Sequence, residues 1–71
     1  MKYLVVLEKS DNGYGAYVPD LPGCIAASET RDELVALIQE AIEFHLEGLK
    51  KSGEPIPPPT TQSEVVEVHA A

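Results

Sequence analysis

The stretch that decides the fold of this chain is Gly13–Cys24, which reads GYGAYVPDLPGC. It combines the returning strand of a hairpin with a rigid loop. Pro19 and Pro22 restrict the backbone and remove two hydrogen-bond donors, so the loop between them is stiff. Gly23 allows a sharp reversal before Cys24, where a short third strand is predicted to begin.

Toward the N terminus, the residues predict a β-hairpin. Lys2 to Lys9 is a first strand, Ser10-Asp11-Asn12-Gly13 is the turn, and Tyr14 to Val18 is the second strand. A two-residue loop at Asn12-Gly13 would place Leu7 opposite Val18 and Lys9 opposite Ala16. This register gives each face of the hairpin its own apolar residues: Tyr3, Val5, Leu7, Ala16 and Val18 on one, and Leu4, Val6 and Tyr17 on the other. A helix can cover only one face, so we expect the other to meet a further surface.

Toward the C terminus, the chain reads as strand, helix and strand. Cys24-Ile25-Ala26-Ala27 is the third strand, and Thr30 with Glu33 forms a capping box that starts a helix ending at Ser52-Gly53. Residues 55–63 are a proline-rich connection, Glu64 to His69 alternates like an edge strand, and residues 70–71 are a flexible tail. The prediction is one α+β domain, 1–71, of order βββαβ, with a small antiparallel sheet and one long amphipathic helix on one face.

The helix has an unusually wide apolar side. Leu34, Val35, Leu37, Ile38, Ala41, Ile42, His45, Leu46 and Leu49 cover about half of its circumference. Glu33, Glu40, Glu43 and Glu47 line the opposite side. The apolar side is wide enough to contact both a sheet and a second chain. Phe44 falls on the acidic side, next to the Leu37 edge of the apolar side, and is either a boundary residue or an interface anchor.

Composition limits the classes of function. The 71 residues carry 12 acidic and 5 basic side chains, for a formal charge of −7. Such a chain disfavours direct binding to nucleic acid. The charge suits a basic protein partner, although acidity can also serve solubility alone. One cysteine excludes an intrachain disulfide, and no stretch reads as a signal peptide or membrane span, so we expect a cytoplasmic protein.

Candidate chemical groups are few and scattered. Cys24 and His45 could form a thiolate pair, but nothing local supports one, and the ordinary roles are a small buried residue and a core or interface histidine. The single cysteine and the two histidines do not have zinc-ligand spacing. Asp20 lies in the proline loop, where a local Asx turn is the usual role. No phosphate-binding loop or nucleophile motif occurs. We therefore expect no catalytic residue, metal or cofactor.

The Gly13–Cys24 stretch resembles the strand-plus-PDLPGC signature of the HicB-like antitoxin family. Thr30-Arg31-Asp32-Glu33-Leu34, the long helix and the segment Gly53–Pro59 continue the resemblance in the same order, over nearly the whole chain. The residues that carry it as structural motif are Gly13, Pro19, Asp20, Leu21, Pro22, Gly23, Cys24 and Thr30.

The resemblance implies a partial RNase H-like βββαβ fold without nuclease activity. It also implies a homo-oligomer, either dimer or tetramer, that neutralises a small HicA-type mRNA-cleaving toxin by masking its active surface. Longer members of the family carry a C-terminal DNA-binding module. Here only Ala70 and Ala71 follow His69, so DNA binding is not expected. The alternative is a self-associating, regulatory or ligand-binding module without a toxin partner.

Two sets of surface residues are candidate binding sites. For a small basic ribonuclease toxin, they are Glu33, Glu40, Glu43 and Glu47. For self-association, they are the second sheet face and the helix edge, with Leu4, Val6, Tyr17, Phe44 and Leu46.

Overall fold

The computed structural model describes residues 1–70 and contains a three-stranded sheet and one long helix. The elements follow in the order β1 (Val6–Ser10), β2 (Gly13–Tyr17), β3 (Ile25–Ser28) and α1 (Arg31–Ser52). Each strand is antiparallel to its neighbour in the order β1-β2-β3, and α1 packs across β2 and β3. The predicted α+β class, with one helix on one face of a small sheet, is confirmed.

The predicted last strand is wrong. Residues 64–69 are exposed and take no part in the sheet. The proline-rich connection explains why: it passes Tyr3, whose Oη donates to the carbonyl oxygen of Pro57, and then reaches Asp20, which holds Thr60 and Thr61. Beyond this point the chain leaves the sheet, so the order over residues 1–70 is βββα. Of the predicted tail, Ala70 is exposed and residue 71 lies outside the described residues.

The hairpin forms with a different register from the predicted one. Its loop is Asp11-Asn12, Ser10 pairs with Gly13, and Leu7 pairs with Ala16 rather than with Val18. The shift is two residues, and side chains alternate with a period of two, so each residue keeps its predicted face. The first residues of the strands also differ from the predicted ones. β1 starts at residue 6 rather than 2, and β3 starts at residue 25 rather than 24. β2 starts at residue 13, one residue earlier than predicted.

Gly13 has a tertiary role rather than the predicted role at the centre of the turn. Its φ is +147°, and a Cβ built on it would lie 2.5 Å from the backbone oxygen of Ser28 and 3.1 Å from the Cα of Glu29. Neither loop residue, Asp11 nor Asn12, has a positive φ. Glycine is therefore required here because the end of β3 approaches the backbone closely.

The hydrophobic core lies between the sheet and α1. Its buried residues are Ala16, Val18, Leu21, Cys24, Leu34 and Ile38. Tyr3, Val5 and Leu7 pack against it from β1 and the segment before β1, which confirms the predicted core face. Val35 and Leu37 remain 43% exposed, so the apolar side of α1 is wider than the sheet contact.

Both ends of α1 are capped as predicted, with one difference. Thr30 Oγ1 accepts a hydrogen bond from the Glu33 amide at 3.2 Å, and Gly53 ends the helix with a φ of +72°. The predicted capping box also requires the Glu33 side chain to accept a hydrogen bond from the Thr30 backbone amide, and this part of the prediction is wrong. The carboxylate of Glu33 instead accepts from the Ser28 hydroxyl at 3.0 Å, which joins the end of β3 to the first turn of α1.

Candidate interaction surfaces

The PDLPGC loop packs into the hydrophobic core and is held by backbone hydrogen bonds. The Val18 carbonyl accepts from the Leu21 amide at 3.0 Å, and the Leu21 carbonyl accepts from the Cys24 amide at 3.0 Å. The Val18 amide donates to the Cys24 carbonyl at 3.2 Å and closes the loop. Leu21 is fully buried, and Gly23 makes the reversal with a φ of +85°. The loop is therefore architectural, as predicted.

Asp20 does not have the predicted local role. Its carboxylate accepts hydrogen bonds from both the amide and the hydroxyl of Thr60 and of Thr61, at distances of 2.7–3.3 Å. We call this arrangement the Asp20 clasp. The hydroxyl of Thr61 contributes most to holding the pKa of the Asp20 carboxyl below its ordinary value of 3.8. Sequence reasoning missed the clasp because its partners are 40 residues away and no local pattern marks them.

Cys24 and His45 border the same groove beside α1. Burial raises the pKa of the Cys24 thiol, which keeps it protonated and a poor nucleophile. Within residues 1–70, no three His, Cys, Asp or Glu side chains are grouped to hold a metal ion. Over the same residues, no helix is long and apolar enough to cross a membrane.

The four glutamates predicted for partner binding are all exposed on α1. We call Glu33, Glu40, Glu43 and Glu47 the acidic ridge. It extends over about 21 Å of helix at 1.5 Å per residue. Glu33 lies at the N-terminal end of this ridge and accepts a hydrogen bond from Ser28, whereas Glu43 and Glu47 border a cleft with Met1 and Ile56.

The residues predicted for self-association are spread over three surfaces: the open face of the sheet, a groove that Phe44 lines, and a cleft that Leu46 lines with Met1 and Ile56. Leu4 and Val6 are half-buried on the open face of the sheet, where Val6 pairs with Tyr17, itself 42% exposed. Leu46 packs against the core of its own chain, whereas Phe44 is 78% exposed. The structure adds Ile25, which sequence reasoning missed and which is 70% exposed at the edge of the sheet.

The second surface is a groove between β3 and α1. Its lining includes Ile25, Ala26, Leu37, Ala41 and Phe44, and its volume is about 600 Å³. We call it the β3 groove. Glu40 lies at its rim, where the groove meets the acidic ridge.

The fold and its exposed surfaces define a small α+β domain with features suited to binding other proteins. A family model described as the HicB-like antitoxin of bacterial toxin-antitoxin systems matches residues 3–70. The chain belongs to the HicB-like antitoxin family.

Individual relatives agree with this assignment. The chain is 42% identical to a UPF0150 protein of Thermoplasma acidophilum over 71 residues, which cover 99% of this chain and 100% of that protein. It is 32% identical to "Antitoxin HicB 2" of Photorhabdus laumondii over its whole length, but spans only 52% of that protein. A chain in the structure titled "HicA3 and HicB3 toxin-antitoxin complex" matches with a TM-score of 0.72 and 33% identity, over 83% of this chain and 70% of that chain.

Proposed function

We propose that this chain is an antitoxin that binds a small, basic, HicA-type ribonuclease toxin and neutralises it by covering its catalytic surface. The observation that carries this proposal is the likeness to a chain of a toxin-antitoxin complex, with a TM-score of 0.72 over 83% of the chain. Membership of the antitoxin family supports the same role.

Charge supports a toxin as the partner. An enzyme that cleaves RNA needs basic groups to bind the phosphate backbone. This chain carries a formal charge of −7, and the acidic ridge places carboxylates along one exposed side of a helix. In the proposed complex, these carboxylates occupy the positions of RNA phosphates on the toxin and speed the encounter.

The rigidity of α1 supports binding without reorganisation. Thr30 and Gly53 cap the helix at its two ends, and Leu34 and Ile38 anchor it in the core. A surface that is already ordered before binding loses little conformational entropy when the partner arrives.

The first prediction concerns the acidic ridge. The proposal predicts a gene for a small basic toxin beside this one. The triple variant Glu40→Gln, Glu43→Gln, Glu47→Gln should bind that toxin about 10- to 100-fold more weakly, because three interfacial charges are lost. Calorimetric titrations at low and high salt measure this. The salt dependence of the Kd should also decrease, since fewer charges are screened.

A matched control removes the same number of charges elsewhere. Glu8→Gln, Asp11→Asn, Glu29→Gln changes three exposed acidic residues away from the ridge. This control should bind within a few-fold of the unmodified chain. Equal weakening in both variants would show that only the net charge matters, and the lack of any complex would contradict the proposal.

A further inference from the structure

The edge of the sheet at β3 is open. In the described part of the chain, β3 pairs only with β2, so one side of its backbone faces no other strand. The opposite edge, at β1, is also unpaired, but the segment before β1 is partly covered: Tyr3 donates to Pro57, and Met1 and Ile56 line a common cleft beside α1. An uncovered edge strand readily pairs with an extended segment of another chain.

The β3 groove continues this open edge onto α1. Leu37 and Phe44 are 43% and 78% exposed there, and Ala41 lines the same groove. A strand added beside β3 would extend the sheet across this part of the helix. The groove therefore offers both backbone partners and an apolar surface for alternate side chains, which are the two requirements of strand addition.

The segment Glu64–His69 has the alternating pattern of a strand, but it pairs with no strand in the described residues. Val65, Val66 and Val68 are 98%, 69% and 78% exposed. In an extended segment, Val66 and Val68 lie on one side, and Val65 and His69 lie on the other. The chain has a radius of gyration of 14.3 Å. A compact domain of this length has a value of about 11 Å. The extended C-terminal segment contributes to this difference.

The Asp20 clasp determines where this segment leaves the domain. It holds Thr60 and Thr61 through the four hydrogen bonds described above. Residues 62–70 then extend from a fixed point and can reach about 30 Å. Because the base of the segment is already ordered, less entropy is lost when the segment binds.

We propose that Glu64–His69 of one copy adds as a fourth strand to β3 of a second copy, and that the exchange is reciprocal. Val66 and Val68 then pack on Leu37, Ala41 and Phe44 of the second copy. The proposal accounts for a strand-like pattern in a segment that its own sheet does not use. It does not depend on toxin binding, because both surfaces belong to this chain.

The test uses one variant of each surface. The donor variant, Val66→Asp with Val68→Asp, alters only exposed residues, and so does the acceptor variant, Leu37→Glu with Phe44→Glu. By light scattering, the unmodified chain should have twice the chain mass of 7.7 kDa, and each variant alone should have 7.7 kDa. An equimolar mixture should have a higher mean mass than either variant alone, because one of the two exchanges is intact in the mixed dimer: the segment of the acceptor variant adds to β3 of the donor variant.

A control keeps the same segment but changes its other side. Val65→Asp with His69→Asp should keep the doubled mass, because these residues face away from the β3 groove in the proposed dimer. Circular dichroism of each variant verifies that the helix is retained. Native mass spectrometry of the mixture should show one copy of each variant in the dimer.

Three results would overturn the proposal. One is a donor variant that keeps the doubled mass, which would place the dimer contact elsewhere. Another is a mixture that stays at 7.7 kDa although both variants are folded. The third is an unmodified chain of 7.7 kDa; protected amides in residues 64–69 would then mean that the segment folds back on its own sheet, and unprotected amides that it pairs with no strand.

Discussion

Asp20 joins two parts of the chain that lie 40 residues apart. It belongs to the PDLPGC loop, where local reasoning predicts an Asx turn, yet its carboxylate accepts hydrogen bonds only a tertiary fold can provide. Through this one side chain, the loop that packs into the core also positions the exposed C-terminal segment. The loop could be predicted from its prolines and glycine, but the partners of Asp20 could not.

The second prediction concerns the pH dependence of this clasp. The pKa of Asp20 is below its ordinary value of 3.8, so the folded clasp favours the carboxylate. Its contribution to stability is therefore present above that value and is lost as the pH falls through the lowered pKa. The amide chemical shifts of Thr60 and Thr61 should titrate together with a midpoint below 3.8.

Substitution separates this effect from general unfolding. In Asp20→Asn, Thr60 and Thr61 should show the open-clasp shifts at neutral pH and no acid transition, while the amides of the core strands are unchanged. Asp11→Asn, at the exposed hairpin loop, should retain the transition. A transition of equal midpoint in Asp20→Asn would assign the titration to another group.

At the scale of the elements, local signals predicted α1 much better than the hairpin register. The helix ends at Thr30 and Gly53 because the capping groups are adjacent in sequence to the residues that they cap. The hairpin has two registers, differing by two residues, that bury the same apolar face. Choosing between them requires β3, whose Ser28 oxygen lies 2.5 Å from the position of a Cβ on Gly13.

The third prediction tests this role of Gly13. Gly13→Ala should lower the free energy of unfolding by about 1–3 kcal/mol, because it combines a strained φ with a contact to the backbone of β3. Urea denaturation measures the change. The matched control in the same strand is Gly15→Ala, where nothing lies within 4 Å of the added methyl group. It should be neutral or stabilising by up to about 1 kcal/mol. Equal losses in both variants would mean that Gly13 has no special contact.

The prediction of a last strand was wrong for a different reason. The alternation in Glu64–His69 specifies a strand and its two faces, but no sequence pattern specifies which edge it joins. In the single chain this segment is exposed, and under the proposed exchange it finds its edge on a second copy. The sequence pattern was thus informative about local conformation and uninformative about pairing.

At the scale of the whole molecule, three surfaces surround a small core. The acidic ridge borders the β3 groove at Glu40, whereas the open face of the sheet lies on the side away from α1. The residues of the first were predictable because helical periodicity alone places them on one side. The groove was not, because it depends on how far α1 extends beyond the edge of β3. Under the two proposals, a second copy in the groove covers the border at Glu40, and Glu43 and Glu47 remain outside the groove lining and available to a toxin.

The most direct test of the proposed function is RNA cleavage by the small basic toxin that the proposal predicts beside this gene, measured with increasing amounts of the purified chain. Cleavage should fall to background near equimolar amounts, and the Glu40→Gln, Glu43→Gln, Glu47→Gln variant should need a several-fold excess. The control with Glu8→Gln, Asp11→Asn and Glu29→Gln should inhibit like the unmodified chain. Undiminished cleavage at saturating amounts of the chain would contradict neutralisation by masking.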